Sequence, residues 1–173
     1  MGWSLSGLVI NKTFDKDSKK VLDFLKIKDS QKAIRISFEE ASTHFWPNEK
    51  IAIGFFGKGT LIFSGIALMT DEERLTNASK IGDILSFYIN DNNATYCFDY
   101  FSQGSYLRRK WVSETDEDVN KTGSMGDLLS FENIDEDPQE EAFKAIEQIM
   151  GQSFYEISEE EAMFEYKIKI TQH

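Results

Sequence analysis

The 173 residues contain one cysteine, Cys97, two prolines, Pro47 and Pro138, and two histidines, His44 and His173. A lone cysteine excludes an intramolecular disulfide and points to a reducing compartment. One thiol and two imidazoles, far apart in sequence, give no zinc-ligand spacing, so no metal and no cofactor is expected. Two prolines leave no proline-rich linker. Long hydrophobic runs are missing as well. Ile51–Phe56 and Leu61–Met69 are too short and too interrupted to span a bilayer. The first ten residues have no basic region followed by a long apolar run, so no signal peptide is read there. The sequons at Asn11, Asn77, Asn93 and Asn120 then read as chance. The expected location is cytoplasmic, with no membrane partner.

Acid of one sign is abundant and unevenly placed. Residues 1–110 hold 15 Lys/Arg and 13 Asp/Glu, a formal +2, whereas residues 111–173 hold 4 and 17, a formal −13. The chain total is −11. Such a surface repels nucleic acid and anionic lipid and attracts cations. The 40% apolar and 13% aromatic content, with fourteen Phe and six Tyr, is enough for a core built around large rings.

Local patterns predict the elements. Trp3–Asn11 is β-prone. Asp15–Ile27 carries a helical stripe of Val21, Leu22, Phe24 and Leu25. Lys32–Phe38 alternates as a strand. Ile51–Phe56 and Thr60–Leu68 read as two strands around Gly57-Lys58-Gly59. Thr70–Glu73 has the form of a capping box, so a helix is predicted from there toward Ile81. Leu85–Ile89 reads as a strand. Thr95–Phe101 and Ser105–Val112 read as a hairpin closed by Gln103-Gly104. A two-residue loop pairs Ser102 with Ser105. Continued without interruption, that register sets Tyr96 opposite Trp111, Phe98 opposite Arg109, Tyr100 opposite Leu107 and Asp99 opposite Arg108.

Residues 113–126 read as an acidic loop and Asp127–Ile134 as a short strand. Asp137-Pro138-Gln139-Glu140 is a helix start, with Gly151 as its stop. Phe164–Ile170 alternates as a strand, unless the Ser158–Glu161 capping box extends a helix into it. The strands come in consecutive runs and not in βαβ order. The expected fold is therefore one α+β domain over 1–173, a mainly antiparallel sheet with about three helices packed on it and a C-terminal helix–strand segment.

No stretch spells out a reaction, and no catalytic residue is assigned. Gly54–Thr60 lacks the Lys-Ser/Thr step and the following helix of a phosphate loop. Cys97 alternates between aromatic neighbours and reads as a buried, inert thiol. Asp15-Lys16-Asp17 opens like a calcium loop but puts Lys19 at a ligand position. Arg108-Arg109-Lys110 points in alternating directions on a strand, which fits ion pairing better than polyanion binding, so no nucleic-acid partner is expected.

The order of Met1-Gly2, Gly104-Ser105-Tyr106-Leu107-Arg108, Gly126-Asp127-Leu128-Leu129-Ser130-Phe131-Glu132 and a helix over Ala142–Gly151 resembles a group of uncharacterised bacterial proteins. The resemblance covers about residues 50–151. That group has a histidine-bearing strand, and Leu85–Asn90 has no histidine, so no site residue is carried across.

Three functions remain in view. The first is a non-catalytic, immunity-like protein-binding domain whose acidic face meets a basic protein partner. Its contact residues are Glu114, Asp116, Glu117, Asp118, Asp135, Glu136 and Asp137. The second is an enzyme or small-ligand protein with a pocket in the aromatic sheet, formed by Asp99, Arg109 and Trp111. The third is a structural or oligomeric domain that acidity keeps soluble.

Overall fold

A computed structural model describes residues 2–29, 31–113, 123–133 and 136–170. Among these residues, ten strands form one antiparallel sheet: β1 (Ser4–Ile10), β2 (Lys28–Asp29), β3 (Ile34–Ser37), β4 (Lys50–Phe56), β5 (Gly59–Ser64), β6 (Ile84–Asn90), β7 (Thr95–Ser102), β8 (Ser105–Ser113), β9 (Gly123–Met125) and β10 (Ala162–Lys169). Five α-helical segments accompany them: α1 (Ser18–Phe24), α2 (Phe38–Ala41), α3 (Ile66–Met69), α4 (Glu72–Ala78) and α5 (Pro138–Met150). The spatial order is β2-β10-β4-β5-β1-β6-β7-β8-β9, with β3 also paired to β10. The α+β antiparallel architecture is the expected one. The five helical segments among the described residues are loosely consistent with the expected about three, since α2 and α3 are only four residues each.

Both faces of the sheet are covered, because alternate residues of the central strands are apolar on both sides. In β1, Leu5 and Val9 enter one core and Leu8 and Ile10 the other. The first core adds Phe63, Phe87 and Phe98 of the sheet, α2 and α5. The second adds Ile51, Ile53 and Ile62 beneath α1, α3 and α4.

Helix α5 forms for the reasons its sequence gives. Asp137 accepts from the N–H groups of Gln139 and Glu140 at 3.0 and 3.3 Å, and Pro138 opens the first turn. Ala142, Phe143, Ala145, Ile146, Ile149 and Met150 are buried as one stripe. Gly151 ends the helix at φ 73°, a left-handed conformation that glycine adopts without a Cβ clash. Burying each of Phe143, Ile146, Ile149 and Met150 contributes about 1.5–3 kcal/mol relative to exposure.

Several local expectations are overturned. The strand over Thr60–Leu68 stops at Ser64, and α3 follows after Gly65. The helix predicted from Thr70 is capped by Asp71, whose carboxylate accepts from Arg74 N at 3.1 Å and also binds Arg74 Nε at 2.8 Å. Phe38 begins α2 instead of ending a strand, behind the capping box of Ser37 and Glu40. Asp127–Glu132 is coil and turn, not a strand. Ser158–Glu161 closes a turn, Glu161 N to Ser158 O at 3.0 Å, and strand β10 follows directly.

The β7–β8 hairpin keeps its predicted turn but not its register. Gln103 and Gly104 both have positive φ, 52° and 77°, as a tight two-residue hairpin requires. Ser102 faces Ser105 and Phe101 faces Tyr106, and then the register shifts between Phe101 and Tyr100. Leu107 is the extra residue. From there Tyr100 faces Arg108, Asp99 faces Arg109, Phe98 faces Lys110, Cys97 faces Trp111 and Tyr96 faces Val112. A bulge of this kind sends every later side chain to the opposite face.

Candidate functional site

The bulge turns Arg109 away from Phe98, contrary to the uninterrupted register, and sets it beside Asp99 and Trp111. Its Nε lies 3.5 Å from Asp99 Oδ1, and its guanidinium sits 5.3 Å from the Trp111 ring centre. Asp99 is buried and accepts from the Tyr106 hydroxyl at 2.6 Å and from Ser86 Oγ at 3.3 Å. Burial raises the Asp99 pKa above the usual carboxylate value, opposed by Tyr106 and Arg109. The same burial, together with the hydrogen bond to Asp99, raises Tyr106. Cys97, opposite Trp111, is pushed up to about 12 by burial and by Asp99. A thiol so placed stays protonated near neutrality and is a poor nucleophile. The cavity here, lined by Glu72, Asp99, Tyr106 and Arg109, measures about 50 Å³. Ligand clefts usually measure about 300–1,000 Å³. The three sequence-selected residues do meet on one face, where Arg109 is already engaged by a carboxylate and a ring.

The opposite face of β8 holds one buried and one half-buried ion pair. Arg108 meets Glu132 at 2.7 Å, with 3% and 1% of the side chains exposed. Arg108 also donates to the carbonyls of Gly126 and Met125 at 3.0 and 3.4 Å, and Leu129 N donates to Glu132 at 2.6 Å. Burial works to raise the Glu132 pKa, but Arg108 and the Leu129 N–H outweigh it and leave the pKa lowered. Lys110 pairs with Glu141 of α5, and there burial wins and raises the Glu141 pKa. Glu141 Oε1 has no hydrogen-bond partner among the described residues. Arg108, Arg109 and Lys110 are thus each engaged by a carboxylate: Glu132, Asp99 and Glu141.

Of the acidic contact residues expected from the sequence, Glu114, Asp116, Glu117, Asp118 and Asp135 lie outside the described residues. Glu136 binds Lys144 at 2.7 Å, and Asp137 caps α5. Both therefore have structural partners. The residues weighed for metal and phosphate are also absorbed locally. Asp15 pairs with Lys20, Asp17 caps α1, and Gly57-Lys58 is the turn between β4 and β5. No group of three or more His, Cys, Asp or Glu among the described residues is arranged to hold a metal ion.

A second concavity draws on distant parts of the chain. Trp3, Phe38, Phe154 and Tyr155 line a cleft of about 490 Å³, with Glu39 and Glu159 at its wall. The rings stand edge to face: Trp3 on Phe154 at 5.4 Å and 86°, Phe38 on Phe154 at 5.3 Å and 66°. Trp3 is anchored by its backbone N–H to Asp91 Oδ2 at 2.6 Å. Backbone bonds tie α2 to the 159–161 turn, Glu39 N to Glu159 O at 3.0 Å and Phe38 N to Glu161 O at 2.7 Å. Among the described residues, no lysine or arginine lies within ion-pair distance of the Glu39 or Glu159 carboxylate. Tyr155 is 54% exposed, and its pKa is pushed up to about 12 by partial burial and by Glu140. The sequence signal for this cleft was the acidic run after Phe154-Tyr155. Its partners at positions 3 and 38–39 were visible only in three dimensions.

Compared with known proteins, the chain matches no protein-family model, no curated protein and no solved structure.

Proposed function

We propose that this protein is a non-catalytic binding domain whose acidic surface engages a cationic protein partner, in the manner of an immunity protein that covers a basic toxin. The observation that carries this reading is the fate of the charges. The basic run of β8 is consumed by internal carboxylates: Arg109 pairs with Asp99, and Arg108 and Lys110 pair with Glu132 and Glu141, so the run offsets only two charges of the −13 of residues 111–173. Glu39 and Glu159 add acid beside an aromatic cleft. Electrostatic complementarity of this kind steers association and selects partners by charge. The chemistry of the aromatic sheet supports the same direction, since Cys97 is held protonated and the cavity at Arg109 is small. No helix among the described residues is long and apolar enough to cross a membrane. The single cysteine and the resemblance to bacterial proteins support a bacterial cytoplasmic setting.

The test is capture of partners from lysate of the source organism at low salt, followed by elution at high salt. A specific basic protein, released by salt and lost in the Asp116/Glu117/Asp118→Lys variant, is the expected result. Capture indifferent to both salt and charge reversal overturns the reading.

A further inference from the structure

The cleft of Trp3, Phe38, Phe154 and Tyr155 sets aromatic walls beside two exposed carboxylates. Aromatic rings present negative π faces, and edge-to-face rings wall a corner instead of closing into a stack. The Trp3–Phe154 and Phe154–Tyr155 planes are nearly perpendicular, at 86° and 87°. Two carboxylates, Glu39 and Glu159, border the same space, and among the described residues no Lys or Arg lines it. Their backbones are hydrogen-bonded to each other, so the two like charges are held in proximity by the fold. Asp91 lies behind Trp3, and Glu140 accepts from the Tyr155 hydroxyl at 3.4 Å, adding acid around the rings. An anionic ligand is repelled here, and a purely apolar one desolvates the carboxylates without compensation.

The geometry points to this cleft as the seat of an arginine side chain projecting from the protein partner. This rests on the binding reading above and deepens it by naming the contact. A guanidinium is flat, so it stacks against a ring while its N–H fork binds carboxylate. At about 490 Å³ the cleft lies within the ligand-cleft range of about 300–1,000 Å³ and takes an arginine with its flanking residues.

The probe is a blocked Gly-Arg-Gly peptide, titrated while the three Trp indole N–H signals are followed by NMR, with Trp3 assigned from Trp3→Phe. Its neutral citrulline counterpart is the control. The Arg peptide is expected to shift the Trp3 signal while the citrulline peptide does not. Glu39→Gln/Glu159→Gln is expected to weaken binding about tenfold, and Tyr155→Ala about threefold. All three positions are exposed and the glutamine changes are isosteric, so a retained spectrum of unchanged dispersion certifies the fold. A Trp3 signal that ignores the Arg peptide, or that responds equally in the double glutamine variant, overturns the assignment. The lysate capture separates this failure from that of the wider reading. Salt-sensitive capture that survives Glu39→Gln/Glu159→Gln but is lost in Asp116/Glu117/Asp118→Lys removes the arginine seat and keeps the acidic interface. Loss of both responses removes both.

Discussion

Charge is used in opposite ways at the two ends of the first core. At β8, Arg108 is buried against Glu132 and the half-buried Lys110 pairs with the buried Glu141, so their charges are spent on internal carboxylates. At the α2 corner, Glu39 and Glu159 stay exposed, with no cation in reach among the described residues. The difference teaches that acid content alone does not mark an interface. Carboxylates already engaged by the fold, such as Glu136 and Asp137, have less to offer a partner than those left beside an apolar wall.

The contrast breaks most sharply at Arg108. Arg108→Ala leaves Glu132 buried without its cation and is expected to cost about 3–5 kcal/mol in denaturant unfolding. Arg108→Met/Glu132→Leu removes both charges and should recover most of that loss. Recovery would show that the pair specifies the arrangement more than it stabilises it. Asp137→Ala, which strips the cap of α5, should cost about 1 kcal/mol by the same measurement.

Glu141 sharpens the comparison through pH. Its folded pKa is raised above the ordinary 4.5, so between 4.5 and the raised value the folded state binds more protons than the unfolded state. Its contribution therefore becomes less favourable as pH rises through that window. Stability of Glu141→Gln relative to the parent should rise with pH there, read from chemical denaturation at a series of pH values. Glu132 has the opposite sign: its folded pKa is lowered, so its stabilising contribution is present above 4.5 and is lost as pH falls through the folded value. Glu132→Gln should flatten the acid limb of the stability curve. The smallest effect belongs to the open corner. Glu39→Gln/Glu159→Gln should change unfolding stability by no more than about 0.5 kcal/mol, whereas partner binding responds strongly.

How much of this was legible depended on how local each cause was. The Asp137-Pro138 start and Gly151 stop of α5, the Gln103-Gly104 turn and the β-prone run that becomes β1 rest on neighbours within a few residues, and the structure has them where the sequence put them. The candidate site was legible only in part. Asp99, Arg109 and Trp111 were chosen on a register that a bulge at Leu107 then altered, so they meet with different neighbours. Past that bulge Arg108 meets Glu132 and the carbonyls of Met125 and Gly126, which come from beyond the hairpin. Likewise, the Ser158–Glu161 box favours a helix locally, but backbone bonds to Phe38 and Glu39 hold it as a turn.

By itself, the sequence determined the α+β class, the antiparallel order of hairpins, the main helix with both its ends, and the concentration of acid in the last third. These follow from periodicity, caps, turns and composition, which act over short spans of chain. Tertiary structure decided the hairpin register, the internal pairing of the basic run, and the meeting of Trp3, Glu39, Tyr155 and Glu159 around one cleft. The ion pairs of β8 join residues 24 and 31 apart in the chain, and the cleft joins segments more than a hundred apart, so no local pattern records either outcome.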